Sequence, residues 1–408
     1  MVQWLLVAVI VCAVCWPTSG SHGGLPIRML PLMLAGGASI GRLACHSGLA
    51  ASLLQGTCWL LFLSGVVGLL ACWGAMHGHQ PVMAWDQARV FWVTIWTVWL
   101  MRIATEVQGV SIGSLARALV WGCSLYSMLK CALLISTAFD GGTLLFGLLQ
   151  QEMQIITCLI VEGVPRIQTS CDLALPLALF IVLSYQTWFS RRWIRGLLAS
   201  IMMVALFFAF SRALLFMGIA ACLISAFHLG WRAALRRLIG CLLGWGVLQL
   251  GLGELGAQRL DEERFSGEAA RYSDLIRNQQ VATLSHRWSD HPWFGEGLGL
   301  YSQRLVRSEK LPYSYEVQWL AMLWQGGLIG WILWQCTLLA LLWPLLALRP
   351  RTSLGLLILA GGYWMSGWTN PYVISLLSGV LYGMIHLLCY VPIPHSSRFS
   401  DIPIRAIP

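Results

Sequence analysis

Polar and apolar residues come in blocks along this chain. Mostly apolar runs of about 17 to 25 residues, each long enough to cross a hydrocarbon core of roughly 30 Å as a helix, follow one another from end to end. They fall near 2–17, 27–44, 51–76, 88–104, 108–137, 172–189, 197–210, 213–229, 238–252, 315–348, 354–368 and 372–390. In lipid every backbone N–H and C=O must find a partner inside the protein, so only helices or a closed barrel can span. A barrel would need short alternating segments, and none is present. The pattern therefore predicts an all-α fold, a polytopic transmembrane bundle of about twelve spans. The first run, Val2 to Trp16, lacks a basic flank and a small-residue cleavage site, and reads as a retained helix.

Short cytoplasmic loops carry an excess of Lys and Arg, which orients the spans. Arg191, Arg192 and Arg195 form one basic cluster, Arg232, Arg236 and Arg237 a second, Arg349 and Arg351 a third, and Arg398 and Arg405 lie in the tail. All four are cytoplasmic only if the chain crosses twice between each pair, which the runs allow. Arg212, the whole of Glu254–Pro312 and Asn370 are then external. In the first half the spans bring the chain outside by Asp140, leaving an external segment near 138–171. Within it, Gln150, Gln151, Glu152 and Gln154 make Thr143–Val164 a predicted interfacial amphipathic helix. The organisation is then nine helices over 1–253, an external loop with short helices over 254–312, and three helices with a cytoplasmic tail over 313–408.

Composition agrees with a lipid environment. The 408 residues are 58% hydrophobic and 11% charged, with a mean hydropathy of +0.71, more apolar surface than a soluble globule can hide. The net charge of +9 sits between apolar runs, without the aromatic-studded stripe that nucleic acid would need. Of thirteen cysteines, Cys12, Cys58, Cys123, Cys222, Cys241, Cys336 and Cys389 lie in apolar runs and none in Glu254–Pro312, which fits packing residues rather than a disulfide framework or zinc site. There is no phosphate-cradling GxxxxGK[ST] loop, no HExxH and no DxD, so no cofactor and no metal is expected.

The external loop Glu254–Pro312 holds nine of the seventeen acidic residues and eight of the twenty-six basic ones. A solvated loop carrying a surface helix would account for this. Connections of such length are also commonly lids or binding elements. Arg264, Arg271, Arg277, Arg287 and Arg304 suit an anionic ligand, with Asp290 and Glu296 among them.

Four stretches carry a resemblance. His291-Pro292-Trp293-Phe294-Gly295-Glu296-Gly297-Leu298-Gly299 is similar to the hPl-G-G-G motif of the O-antigen ligase and Wzy-type O-antigen polymerase family. Tyr315–Leu320 through Gln325–Gly330 resembles the family's helix ending in GLIG, Ser211-Arg212-Ala213 its SRG turn, and Thr369-Asn370-Pro371 a turn near its C-terminal end. Together they cover roughly 211–378, in the family's order and on one inferred face. The chain departs from the ligases where they carry His-Asn, having Glu316-Val317 instead, so the polymerase-like branch is the nearer match.

The resemblance implies a bacterial inner-membrane, GT-C-like glycosyltransferase working at the periplasmic face on an undecaprenyl-pyrophosphate-linked oligosaccharide. A flippase and a chain-length regulator are its implied partners beside membrane lipid. Without a metal, guanidinium groups would hold the pyrophosphate. Arg166 and Arg212, at predicted external helix ends, are the first candidates, and either could instead snorkel to the interface; Arg271 and Arg287 follow, with a solvated loop carrying a surface helix as their alternative. The acceptor hydroxyl needs a base, and Glu316, at the family's histidine position, fits, with Tyr315 beside it as a substrate contact. An acidic residue there would also suit the helix dipole. His291 would position substrate or brace its turn, and Asn370 would bind sugar or cap a helix. A ligase acting on lipid A core is the nearest alternative. A flippase is the alternative of another class, for which only Lys130 and Glu106 come near the expected midplane charges.

Overall fold

A computed structural model describes residues 2–15, 29–44, 51–78, 80–140, 157–161, 164–209, 211–227, 232, 239–240, 268–306, 312–348, 350–368 and 373–391. Among them are twelve α-helices: α1 (Val2–Cys15), α2 (Met29–Ala44), α3 (Ala51–Met76), α4 (Pro81–Glu106), α5 (Ile112–Asp140), α6 (Leu175–Ser184), α7 (Arg192–Phe207), α8 (Arg212–Phe227), α9 (Glu268–Asp290), α10 (Gln318–Leu348), α11 (Pro350–Ser366) and α12 (Leu376–Leu388). A helix occupies every predicted apolar run except 238–252, of which only 239–240 are described. Three of the described helices are long and apolar enough to cross a membrane, over Leu54–Met76, Ile112–Leu133 and Gln318–Leu345. The other apolar helices are shorter, among them Ala213–Ala226 and Leu376–Leu388.

One local expectation changes. Residues 157–161 and 164 do not continue an amphipathic helix: β1 (Thr157–Val161) pairs antiparallel with β2 (Val164–Gln168), Val161 opposite Val164. Thr157, Ile160, Val161, Val164 and Ile167 are β-branched, and on a short segment that preference outweighs a helical reading. The rest of the predicted helix, 143–156 and 162–163, lies outside the described residues. Within 254–312 the described residues hold one α-helix of 23 residues, α9, and a short 3-10 helix at Gln303–Leu305.

Two apolar cores hold the bundle. One joins α1, α5, α6, α7, α8, α11 and α12 around α6, whose residues are buried on every side. Here Lys130 of α5 lies 2.7 Å from Asp172, both enclosed, and Asp172 also accepts from Tyr126 Oη and the Thr169 amide. Lys130 is thus a satisfied structural cation. Glu106 pairs with Arg102 one turn away at 2.7 Å. The second core joins α3, α4, α10 and α12. In it, Gly379 and Gly383 bring α12 against Thr94, Thr97 and Met101 of α4, the small-xxx-small contact that lets helices approach without a water-driven force between them.

Several helix ends meet. Trp319, at the start of α10, donates to Gly367 and Trp364 carbonyls at the end of α11, and Gln318 accepts from the amide of Val373 before α12. The end of α3 and the start of α4 join them through the segment 291–300, described next.

Candidate functional site

On α9, Arg277, Gln280, Leu284 and Trp288 follow a three- and four-residue spacing and share one face. Leu284 is fully buried in a third apolar cluster with Tyr315, Val317, Leu320, Ala321 and Trp324, and Trp288 flanks it. This stripe lays α9 on the beginning of α10, and the two polar members upstream are thereby delivered to Glu316. Arg277 Nε stands 2.8 Å from Glu316 Oε2, a contact of charge rather than an aligned hydrogen bond. A second arm of the guanidinium reaches Asp274 Oδ1 at 2.9 Å. Gln280 is wholly buried, and its Oε1 accepts from the Glu316 amide at 3.0 Å. Its Nε2 meets no partner among the described residues. The Glu316 side chain retains 12% of its surface and Arg277 27%, so the pair is enclosed yet open to a ligand. Glu316 lies ahead of the first turn of α10 rather than in it, so the dipole reading of this residue gives way to the ion pair.

Tyr315 is buried beside it. Its hydroxyl accepts from the Ser302 amide at 2.8 Å, and burial pushes the phenol up to about 12, with Arg287 close enough to oppose the shift. Tyr313, buried near Asp86 and Arg89, is likewise pushed up by burial.

The glycine-rich stretch does something different. Helix α10 is broken at Gly327 (φ 63°, ψ −176°), which frees backbone groups on both sides. The stretch 292–299 takes them up: the amides of Glu296 and Gly297 donate to the Trp324 and Gln325 carbonyls, and those of Leu328 and Ile329 donate to Pro292 and Trp293. Side chains close the joint, with Gly299 N donating to Gln87 Oε1 (2.7 Å), Gln87 Nε2 to Gln325 Oε1 (2.6 Å), and Gln325 Nε2 to the Leu300 carbonyl (3.0 Å). Gly297, at φ 96°, faces the Gly74 backbone of α3 so closely that any Cβ would overlap it. The motif is a backbone clamp between α3, α4 and α10.

Of the residues singled out from sequence, Glu316, Tyr315 and Arg287 gather at the junction of α9 and α10. His291 does not join them: its side chain is exposed, and its backbone closes the turn by donating to Trp288 and accepting from Gly295. Arg271 is exposed on α9. Arg166 falls in β2 and Arg212 opens α8, after Ser211 whose carbonyl accepts from Leu215; the side chains of both lie outside the described residues, as does all of Asn370. Glu296 accepts from Trp324 Nε1 at 2.9 Å. Gln280 carries no mark in the sequence and Arg277 stands there as one of several loop arginines; their shared helical face with Leu284 is the signal that marks them.

Neither a protein-family model nor a curated protein matches this chain.

Proposed function

We propose that the chain is a membrane-embedded glycosyltransferase, polymerising lipid-linked glycans at the end of the bundle that carries Glu316. The observation that carries this reading is a single carboxylate, mostly enclosed, oriented by Arg277 and Gln280 at the mouth of an apolar bundle, with Arg271 and Arg287 on the same helix. In the reaction the acceptor hydroxyl oxygen bonds to the donor's anomeric carbon while that carbon's bond to the pyrophosphate oxygen breaks. The lipid pyrophosphate leaves with the bonding electrons, and the acceptor proton passes to Glu316. Arginines at the mouth counter the growing charge on the leaving group. Two small apolar cavities that share Trp334 lie among α3, α4 and α10, one of them lined by Leu298 and Gln325. The acceptor is taken to be a second lipid-linked repeat unit because Glu316-Val317 stands where ligases carry His-Asn. The working face is periplasmic in this reading, and the membrane is the bacterial inner membrane.

The test is purified protein incubated with a lipid-pyrophosphate oligosaccharide, products being sized on a gel. A ladder is expected, and Glu316→Gln should lower its rate by about 100-fold or more at normal abundance. Full activity of that variant would remove Glu316 as base. Transfer to lipid A core without a ladder would make the protein a ligase, and movement of the donor across vesicles with no new bond would make it a flippase. The break in α10 gives the last no support, because loop backbone fills it.

A further inference from the structure

The clamp ends in two large side chains that turn away from the protein. Trp293 is 61% exposed and Phe294 66%, although the backbone of Trp293 is tied to α10 through the Ile329 amide and the Gly295 carbonyl to Trp73 Nε1 of α3. The elements that the clamp joins carry further exposed apolar residues: Trp73 and Met76 at the end of α3, Val82 and Trp85 at the start of α4, and Ile329 past the break in α10. The clamp holds these three elements together at this point, so the side chains form one surface.

That surface continues the outer face of α3, where Leu61, Phe62 and Leu69 are exposed along the apolar span Leu54–Met76. The span's 23 residues amount to about 35 Å of helix against roughly 30 Å of hydrocarbon, which puts Trp73 and Met76 at the edge of the apolar layer. Indole and phenyl groups gathered at that depth match the boundary between acyl chains and headgroups, where an aromatic body is favoured.

We propose that Trp293 and Phe294 are sunk in this boundary, and that the glycine-rich stretch is a membrane wedge whose partner is lipid. The inference rests on the reading that α3 spans a bilayer. Because α9 ends one residue before the wedge begins, insertion ties α9, and with it Arg277 and Glu316, to the membrane surface.

Dansylalanine encoded in place of Phe294, and in a separate protein in place of Phe62, provides the test, with each protein in lipid nanodiscs. The probe at 294 should emit blue-shifted light, lose most of its emission to lipid brominated at a shallow acyl position, and lose little to aqueous iodide. The probe at 62 should be quenched by deeply brominated lipid. Quenching at 294 by iodide alone, with 62 still lipid-quenched, overturns the wedge and leaves the spanning reading intact. Insensitivity at 294 to both quenchers means that protein covers it, which also overturns the wedge. Iodide quenching at 62 removes the spanning reading itself.

Discussion

A carboxylate that loses most of its water must be compensated by nearby charge or donors. Around Glu316 the compensating charge comes from α9, with the Arg277 guanidinium at 2.8 Å, while Gln280 on the same helix accepts from the Glu316 backbone amide at 3.0 Å. Gln280 touches only the backbone of the proposed base, which makes it a positioning residue. Gln280→Leu removes the acceptor and leaves the Glu316 amide buried without it, at a cost of about 1–3 kcal/mol. We expect a lowered melting temperature in detergent, and a fall in polymer formation larger than the loss of folded protein explains. Equal losses in the two measurements would reduce Gln280 to a stabilising role. In sequence Gln280 is one polar residue among many in an external loop. Only its register with Leu284 distinguishes it, and register has meaning only once a helix is assumed.

At the scale of elements, the joint between α10 and the glycine-rich stretch explains why glycines recur there. Gly327 adopts a backbone conformation that side chains disfavour, and Gly297 lies against another backbone. Gly297→Ala therefore adds a steric overlap to backbone strain, and expelling the stretch would leave the broken helix's N–H and C=O groups without partners. Folded yield should drop sharply and proteolysis near 290–300 should accelerate. Gly196→Ala on α7, where nothing lies within 4 Å of an added methyl, should be neutral or stabilising by up to about 1 kcal/mol. A Gly297→Ala protein as robust as this control would contradict the clamp. The hairpin β1–β2 makes the opposite point: amphipathic composition suggested a helix, and β-branching over a few residues decided for strands.

Across the whole molecule, the alternation of helices can be checked against itself. Counting spans from the basic clusters puts the α3–α4 connection, the segment 291–317 and the turn before α12 on one side, and the structure brings these ends together. The proposed assignment of this side as external rests on charge, because an arginine-rich loop resists translocation. Single thiols at Arg212 and His291 in a cysteine-free protein should react with an impermeant maleimide added outside intact spheroplasts. A thiol near Arg192 should react only after lysis. The reverse pattern would invert the orientation and place Glu316 in the cytoplasm, where the proposed donor is not presented.

The order of helices and their approximate limits were legible in the residues themselves, because the length of an apolar run is a local property and helix formation in an apolar medium is its direct result. The ordered HPWFGEGLG and GLIG stretches were visible too, and so was Glu316 as a carboxylate ahead of a span. What those stretches do was decided only by tertiary structure. Gly297 meets Gly74, and Glu316 meets Arg277 and Gln280, across separations that no local pattern encodes. A backbone clamp and a catalytic loop can share one string of glycines, and packing against α3, α4 and the break in α10 selects the clamp.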